Sequence, residues 1–529
     1  MIQVQNPVVR GFHPDPSVVR VGEDYYLATS TFEWFPGVEI RHSRDLVHWE
    51  IAARPLNRPS LLDLRGVMNS GGVWAPCLSY SDGLFYLVYT ITRTFDGAIQ
   101  DTENFLTTAP DVRGPWSERI PLNAGGFDPS LFHDADGSKW LLNMRWDSRP
   151  EANHFPGILL QRYSPEEKRL VGAPRLIFTG TELGLTEGPH LYRRREYYYL
   201  MTAEGGTAEG HAVTLCRSKS LEGPYEVDPA NPMLTTRDDP SWPIQCAGHA
   251  SLVEGPDGVW YLMHLGSRKN QCGGYSVLGR ETYLQNVRWD ENGWLRLERG
   301  GHHPSVTVHA PAAEAQKDDF YRCYEFTDAL DPHFLSLRVP LDESMLSLSQ
   351  RPGYLRLFGR ESILSHHRQT FLGTQICETV FCATARVEFE PQIYQQAAGL
   401  SLFYHTANLY YLQITWDEAA GKCARLFIRD GGKTRLSVPV SLPEGPALLR
   451  AVMRGQAIRF FVKAVVGADW AEVGAELGPL TTCILSDEYA FQHGEQGFTG
   501  AFLGLCCQDQ TGGGLHADFQ YLDVARPEG

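Results

Sequence analysis

Gly126-Phe127-Asp128-Pro129-Ser130-Leu131-Phe132-His133-Asp134-Ala135-Asp136-Gly137-Ser138-Lys139-Trp140-Leu141-Leu142 reads as a carboxylate and a proline, a short alternating strand, a turn, and a second, aromatic strand. Alternation on both sides of an Asp-Gly pair is the strongest short-range hairpin signal. The layout recurs. Asp15-Pro16-Ser17 leads past Gly22 into Tyr25-Tyr26-Leu27, and Ala75-Pro76 leads through Asp82-Gly83 into Phe85-Tyr86-Leu87. Glu187-Gly188-Pro189-His190 leads into Tyr197-Tyr198-Tyr199-Leu200, and His249-Ala250-Ser251 leads through Asp257-Gly258 into Trp260-Tyr261-Leu262. The markers Pro16, Pro76, Pro129, Pro189 and Ala250 are separated by 60, 53, 60 and 61 residues. Five near-equal strand-turn-strand units of this size predict a five-bladed β-propeller, each blade carrying four strands and long connections.

The same register places the chemistry. Asp15 and Asp128 stand just before the marker, Glu187 stands two before it, and His249 takes the aspartate's place in the last unit. Equivalent positions at the start of innermost strands converge on a propeller's axis, so four blades deliver these side chains to one pit. Three carboxyl groups crowded together cannot all ionise freely, which separates a base from an acid, as glycoside hydrolysis requires.

A length of 529 residues argues for two or more domains. The hydrophobic fraction of 43%, with 51 Gly and 33 Pro and few amphipathic runs, points to an all-β protein of many short strands. A formal net charge of −16 argues against nucleic acid or an anionic membrane surface as partner. No stretch approaches the roughly 20 apolar residues of a membrane span. The N-terminal residues lack the basic and apolar regions of a secretory signal, and the 11 cysteines contain no CxxC pair. Both point to reduced thiols and a cytoplasmic enzyme.

The repeats fill residues 1–301. Small residues and proline over 302–316 read as a linker, and 317–529 continues in short alternating runs, such as Tyr410-Tyr411-Leu412-Gln413-Ile414, without the repeat. That stretch is expected to form one β-sandwich of the jelly-roll type. Sandwich edges leave a homo-oligomer open.

Together Gly11-Phe12-His13-Pro14-Asp15-Pro16-Ser17, Gly71-Gly72-Val73-Trp74-Ala75-Pro76, Gly126-Phe127-Asp128-Pro129-Ser130, Leu185-Thr186-Glu187-Gly188-Pro189-His190 and Leu278-Gly279-Arg280-Glu281-Thr282 resemble glycoside hydrolase family 43, β-xylosidase type. Arg351-Pro352-Gly353-Tyr354-Leu355-Arg356-Leu357-Phe358-Gly359 and Gln395-Gln396-Ala397-Ala398-Gly399-Leu400 resemble the concanavalin-like sandwich those enzymes carry. The resemblance implies an inverting reaction releasing xylose from the non-reducing ends of xylo-oligosaccharides. By it Asp15 is the general base, Glu187 the general acid, and Asp128 the residue that positions Glu187 and keeps its pKa high. Inversion calls for carboxyl groups roughly 6.5–9.5 Å apart. Arg280 is expected on the sugar of the innermost subsite, and Phe32 and Trp74 as apolar walls. His249 is expected to position the substrate or the carboxylates, or to help hold a divalent cation such as Ca2+, though no cofactor is required. The connection Gly266–Leu278 is shorter than in the family's β-xylosidases, which bears on the leaving-group side.

Three other readings stay open. α-L-arabinofuranosidase activity, alone or alongside, uses the same three carboxyl groups on a similar pentose. A retaining β-fructosidase would bring its two carboxyls to roughly 5–5.5 Å. A non-catalytic carbohydrate-binding protein has no need to keep all three. A loop of the sandwich is expected to close one side of the pocket, with Gly500–Leu505 and the residues after it as the candidate.

Overall fold

The structure, a computed structural model, describes every residue except 257, 317–319, 467–468 and 528–529. Asp257 of the fifth turn and the expected start of the second domain at 317 therefore lie outside the described residues. Five antiparallel four-stranded blades succeed one another over 17–53, 72–123, 130–178, 187–227 and 245–297, the fourth carrying an extra short strand, Leu234–Thr235. The first strand of each blade touches the first strands of its neighbours, so these strands ring the axis. Their burial follows from that place: Gln245–Glu254 is buried along all but its last residue, because other blades cover both its faces.

The ring is closed by the N-terminal segment. Val8 and Val9 donate their amides to Thr282 O, and the Asn6 side chain both donates to Leu284 O and accepts from Leu284 N. The stretch read as a linker is more ordered than its composition suggests. Thr307–Ala310 is a strand paired with Ile2–Gln5, and its Val308 and Ala310 are buried. Small residues here allow close packing of two strands on the fifth blade.

The second half is a sandwich of two nine-stranded sheets. In Ala447–Arg454 the buried residues Ala447, Leu449, Ala451 and Met453 alternate with half-exposed ones, the period of a strand with one face on a core. Gln396–His405 is instead buried throughout. Its Ala398, Leu400 and Leu402 face the sandwich core, while Ala397 and Phe403 join a cluster that includes propeller residues. The propeller thus covers the sandwich's outer face.

One strand crosses between the halves. Trp34–Phe35, from the first blade's inter-strand connection, pairs antiparallel with Leu335–Leu337 at the edge of a sandwich sheet. Trp34 is fully buried and stacks on Phe502 with ring centroids 3.6 Å apart. Next to it the buried Arg338 donates to Val67 O at 2.7 Å and to Asn69 Oδ1 at 3.1 Å, both propeller groups. Trp34→Ala is expected to cost about 3–5 kcal/mol in denaturant unfolding and to separate the melting of the two halves. A loss under about 1 kcal/mol with one unchanged transition would show that this strand does not couple them.

Candidate active site

The residue just before the marker has a left-handed backbone in all five blades: φ is 56° at Asp15, 26° at Ala75, 54° at Asp128, 56° at Gly188 and 42° at His249. Four of these are not glycine, and a non-glycine residue there carries strain. In the second, fourth and fifth blades the first strand also slips register at this point, between Trp74 and Cys77, between Glu187 and His190, and between Gln245 and Ala250. Such bulges re-aim a side chain out of the ladder. The fourth blade needs glycine, because a Cβ at Gly188 would stand 3.0 Å from the His249 ring. Its carboxylate is accordingly carried one residue earlier, on Glu187.

The expected residues meet. Asp15, Asp128, Glu187, His249, Arg280, Phe32 and Trp74 all line one cavity of about 280 Å³. Arg280 Nη1 donates to Asp15 Oδ1 at 3.0 Å, Ser30 Oγ donates to Asp15 Oδ2 at 2.6 Å, and His249 Nδ1 lies 3.6 Å from Asp15 Oδ1. Gly188 N donates to Asp128 Oδ2 at 3.0 Å. The three carboxyl groups are all buried, yet they titrate apart. Burial pushes Asp15 upward, but Arg280, His249 and the Ser30 hydroxyl outweigh it and hold it below the usual aspartate value. Burial, followed by the negative charge of Asp15, lifts Glu187 to about 8, against the opposing pull of Arg280. Burial, Glu187 and Asp15 lift Asp128 well above its ordinary value. The pit therefore sets a carboxylate favoured in its ionised form beside two carboxyl groups biased toward protonation.

Arg280 does more than face a ligand. Its Nη2 donates to Phe498 O at 2.8 Å and its guanidinium stands 5.5 Å from the Phe32 ring. The Trp74 indole N–H is spent on Ser70 O at 3.0 Å, leaving its ring as wall, 6.0 Å from Phe32 and 5.4 Å from Phe127.

The sandwich does close one side of the pocket, through a different segment from the one expected. Gln496 and Phe498, which precede Phe502–Asp509, line the cavity, and Phe498 lies 5.8 Å from Trp74. Gly500 instead abuts the backbone of Leu278 and Gly279. The short connection carries a 3₁₀ turn at Lys269–Cys272 and is tied to the sandwich where Ser276 donates its N–H and its hydroxyl to Glu488, both at 2.7 Å. Sequence reading also missed the outer aromatic cluster of Phe95, Trp146 and Phe155 and the buried His211, whose ring fills the space beside Gly248. Trp146 directly follows the hairpin strand Lys139–Arg145 that the repeat did locate, and that placement is the one available signal.

His249 is buried beside His190, with ring centroids 6.4 Å apart, and burial lowers its pKa. Calcium takes six to eight oxygens. Here Asp15 already holds Arg280 and Ser30, and His249 offers a nitrogen rather than an oxygen. These side chains alone do not supply the oxygens of a calcium cage. Among the described residues, the group of three or more ligand-bearing side chains close enough for one ion is Asp238, His302 and His303, at the surface.

Comparison with known proteins agrees with this architecture. The family model "Glycosyl hydrolases family 43" matches residues 4–295, and that of the "Beta xylosidase C-terminal Concanavalin A-like domain" matches 323–525. The chain is 45% identical to a beta-xylosidase of Bacillus subtilis, covering 98% of this chain and 99% of the relative. It is 43% identical to xylosidase/arabinosidase 43B of Humicola insolens, over 100% and 98% of the two chains. The crystal structure of xylan beta-1,4-xylosidase from Bacillus halodurans C-125 superposes with a TM-score of 0.95 at 46% identity, covering 99% of this chain and 100% of that one.

The raised Glu187 has a consequence for stability. Its folded pKa, about 8, lies above the ordinary 4.5. Its contribution to the fold is thus fully present below the ordinary value and is lost as pH rises through about 8. Glu187→Gln removes that loss. The variant's thermal midpoint relative to wild type is expected to climb between about pH 5 and about pH 9 by calorimetry, and a difference constant with pH would refute the assignment.

Proposed function

Since the chain belongs to glycosyl hydrolase family 43, and is a glycoside hydrolase, we propose that it is an exo-acting, inverting β-1,4-xylosidase that releases xylose from the non-reducing ends of xylo-oligosaccharides. The observation that carries this is the divergence of the carboxyl groups: Asp15 held low by Arg280, and Glu187 raised to about 8. Water is activated by the Asp15 carboxylate, which takes its proton as the oxygen attacks the anomeric carbon. Glu187 gives its proton to the departing glycosidic oxygen, so the bond to the leaving sugar breaks as a neutral alcohol leaves. Asp128 accepts the Gly188 N–H and so helps position the backbone beside Glu187. Arg280 and the Phe32 and Trp74 walls orient the terminal pentose, and His249 helps hold Asp15 in place.

A cavity walled by Phe32, Trp74 and a residue of the second domain, Phe498, suits attack at a chain end rather than mid-chain. An accompanying α-L-arabinofuranosidase activity is the second reading, favoured by the likeness to a relative named xylosidase/arabinosidase. All eleven cysteines are free, which supports a reducing compartment such as the cytoplasm.

Steady-state kinetics on xylobiose test the assignment. Glu187→Ala is expected to lower kcat/KM by roughly 10²–10⁴-fold, and to lower it less on 4-nitrophenyl β-D-xylopyranoside, whose leaving group needs little protonation. In wild type the alkaline limb of kcat/KM should fall near pH 8 as Glu187 loses its proton, and the acid limb should lie below the usual aspartate value. Turnover of neither substrate by wild type would discard the xylosidase reading. Comparison with 4-nitrophenyl α-L-arabinofuranoside ranks the second activity.

A further inference from the structure

Gln100 lies near the tip of the second blade's hairpin, Leu84–Asp96 and Ile99–Ala109, directly opposite Phe95 in the ladder. These strands run 13 and 11 residues, about twice the length of Asp24–Thr29 or Lys139–Arg145. The extra length brings Phe95 and Gln100, near the tip, onto the lining of the catalytic cavity. Both polar atoms of its amide, Nε2 and Oε1, are shielded from solvent and have no hydrogen-bond partner in the protein. A shielded amide with donor and acceptor both unmet is destabilising unless something that binds completes it.

The tip is held rigidly enough to present that amide. Trp146 Nε1 donates to Ala98 O in the turn at 2.9 Å. Lower down, Thr102 Oγ1 and Asn104 Nδ2 donate to Gly126 O, at 3.3 and 3.0 Å, two residues before Asp128. Gln100 also lies outward from the carboxylates. Arg280 touches Asp15, stands over Phe32, Phe32 neighbours Trp74, and Trp74 lies 6.2 Å from Phe95, Gln100's partner in the ladder. Phe95 and Phe155 stand edge-on to Trp146, with ring centroids 5.6 and 5.3 Å away, and the three form an aromatic cluster there, with His154 stacked on the indole.

We propose that Gln100 selects the sugar on the leaving-group side of the scissile bond. The pyranose packs a C–H face against the aromatic cluster of Phe95, Trp146 and Phe155. The amide gives one hydrogen bond to a ring hydroxyl of that sugar and accepts one from its neighbour, a match to vicinal hydroxyls that an aromatic leaving group cannot offer. The assignment rests on the glycosidase reading above and adds to it a residue that separates disaccharide from aryl glycoside.

Gln100→Met keeps length and bulk but removes both hydrogen-bonding atoms. The quantity to read is the ratio of kcat/KM on xylobiose to kcat/KM on 4-nitrophenyl β-D-xylopyranoside. It is expected to fall roughly tenfold or more in the variant, mainly through KM for xylobiose. Gln100→Ala should move the ratio the same way and serves if the methionine variant does not fold. A ratio within twofold of wild type in a folded variant overturns the proposal even where both activities drop together. Wild type that turns over neither substrate overturns the xylosidase reading, and this proposal with it, whereas wild type that cleaves only the aryl glycoside overturns this proposal alone.

Discussion

A single guanidinium among three buried carboxyl groups sets the character of this protein. Arg280 bonds to Asp15 and to neither of the other two. With Ser30 and His249 on the same carboxylate, one charge is stabilised, and it adds to the burial that raises both of its neighbours. Had the guanidinium stood midway, burial would have raised all three together and no base would be left. On the proposed reading, the difference between base and acid follows largely from which carboxylate the arginine bonds.

That contact depends on the second half of the chain. Arg280 is gripped from the other side by Phe498 O. The residues leading to it are shaped by sandwich groups: Glu488 binds Ser276, and Gly279, with φ of 74°, lies so close to Gly500 that a Cβ would meet its Cα at 2.9 Å. Trp34 and Arg338 lock the same two halves together through the first blade's connection. The sandwich thus acts on the propeller's chemistry without supplying a carboxylate, by fixing the arginine that polarises the site and by placing Phe498 on its wall.

Much of this could be read from residue order, for a physical reason. A propeller repeats its inner strand, so the carboxylates at Asp15, Asp128 and Glu187 declare themselves by register, and the aromatic second strands declare the hairpins. What escaped depends on contacts between segments far apart in sequence. Gln496 and Phe498 have no periodicity to mark them, and only docking of the sandwich carries them to the pocket. The strand at Thr307–Ala310 lies in a run of small residues whose partner, Ile2–Gln5, is about 300 residues away. Trp34–Phe35 is too short to read as a strand and too apolar to read as a loop tip until its partner is known. Gln100 sits one turn beyond a strand pattern that accounts for its neighbours and gives no hint of an unpartnered amide.

The left-handed backbone at the head of every inner strand joins fold to chemistry most closely. Four non-glycine residues hold a conformation that costs of order 1–3 kcal/mol each. Local sequence does not favour it, least of all before proline, where an extended backbone is preferred. Closure of the ring supplies the support, since each such residue is packed among the inner strands of neighbouring blades. The site is thus a property of the closed ring, with strain placed where side chains must leave the sheet for the axis. The fourth blade shows what happens when the slot is obstructed. His249 from the fifth blade crowds the space a Cβ would need, glycine takes the position, and the carboxylate stands one residue earlier, on Glu187. The proposed acid is thus the carboxyl displaced from the repeat's register, so its separation from the proposed base begins in the packing of two neighbouring blades.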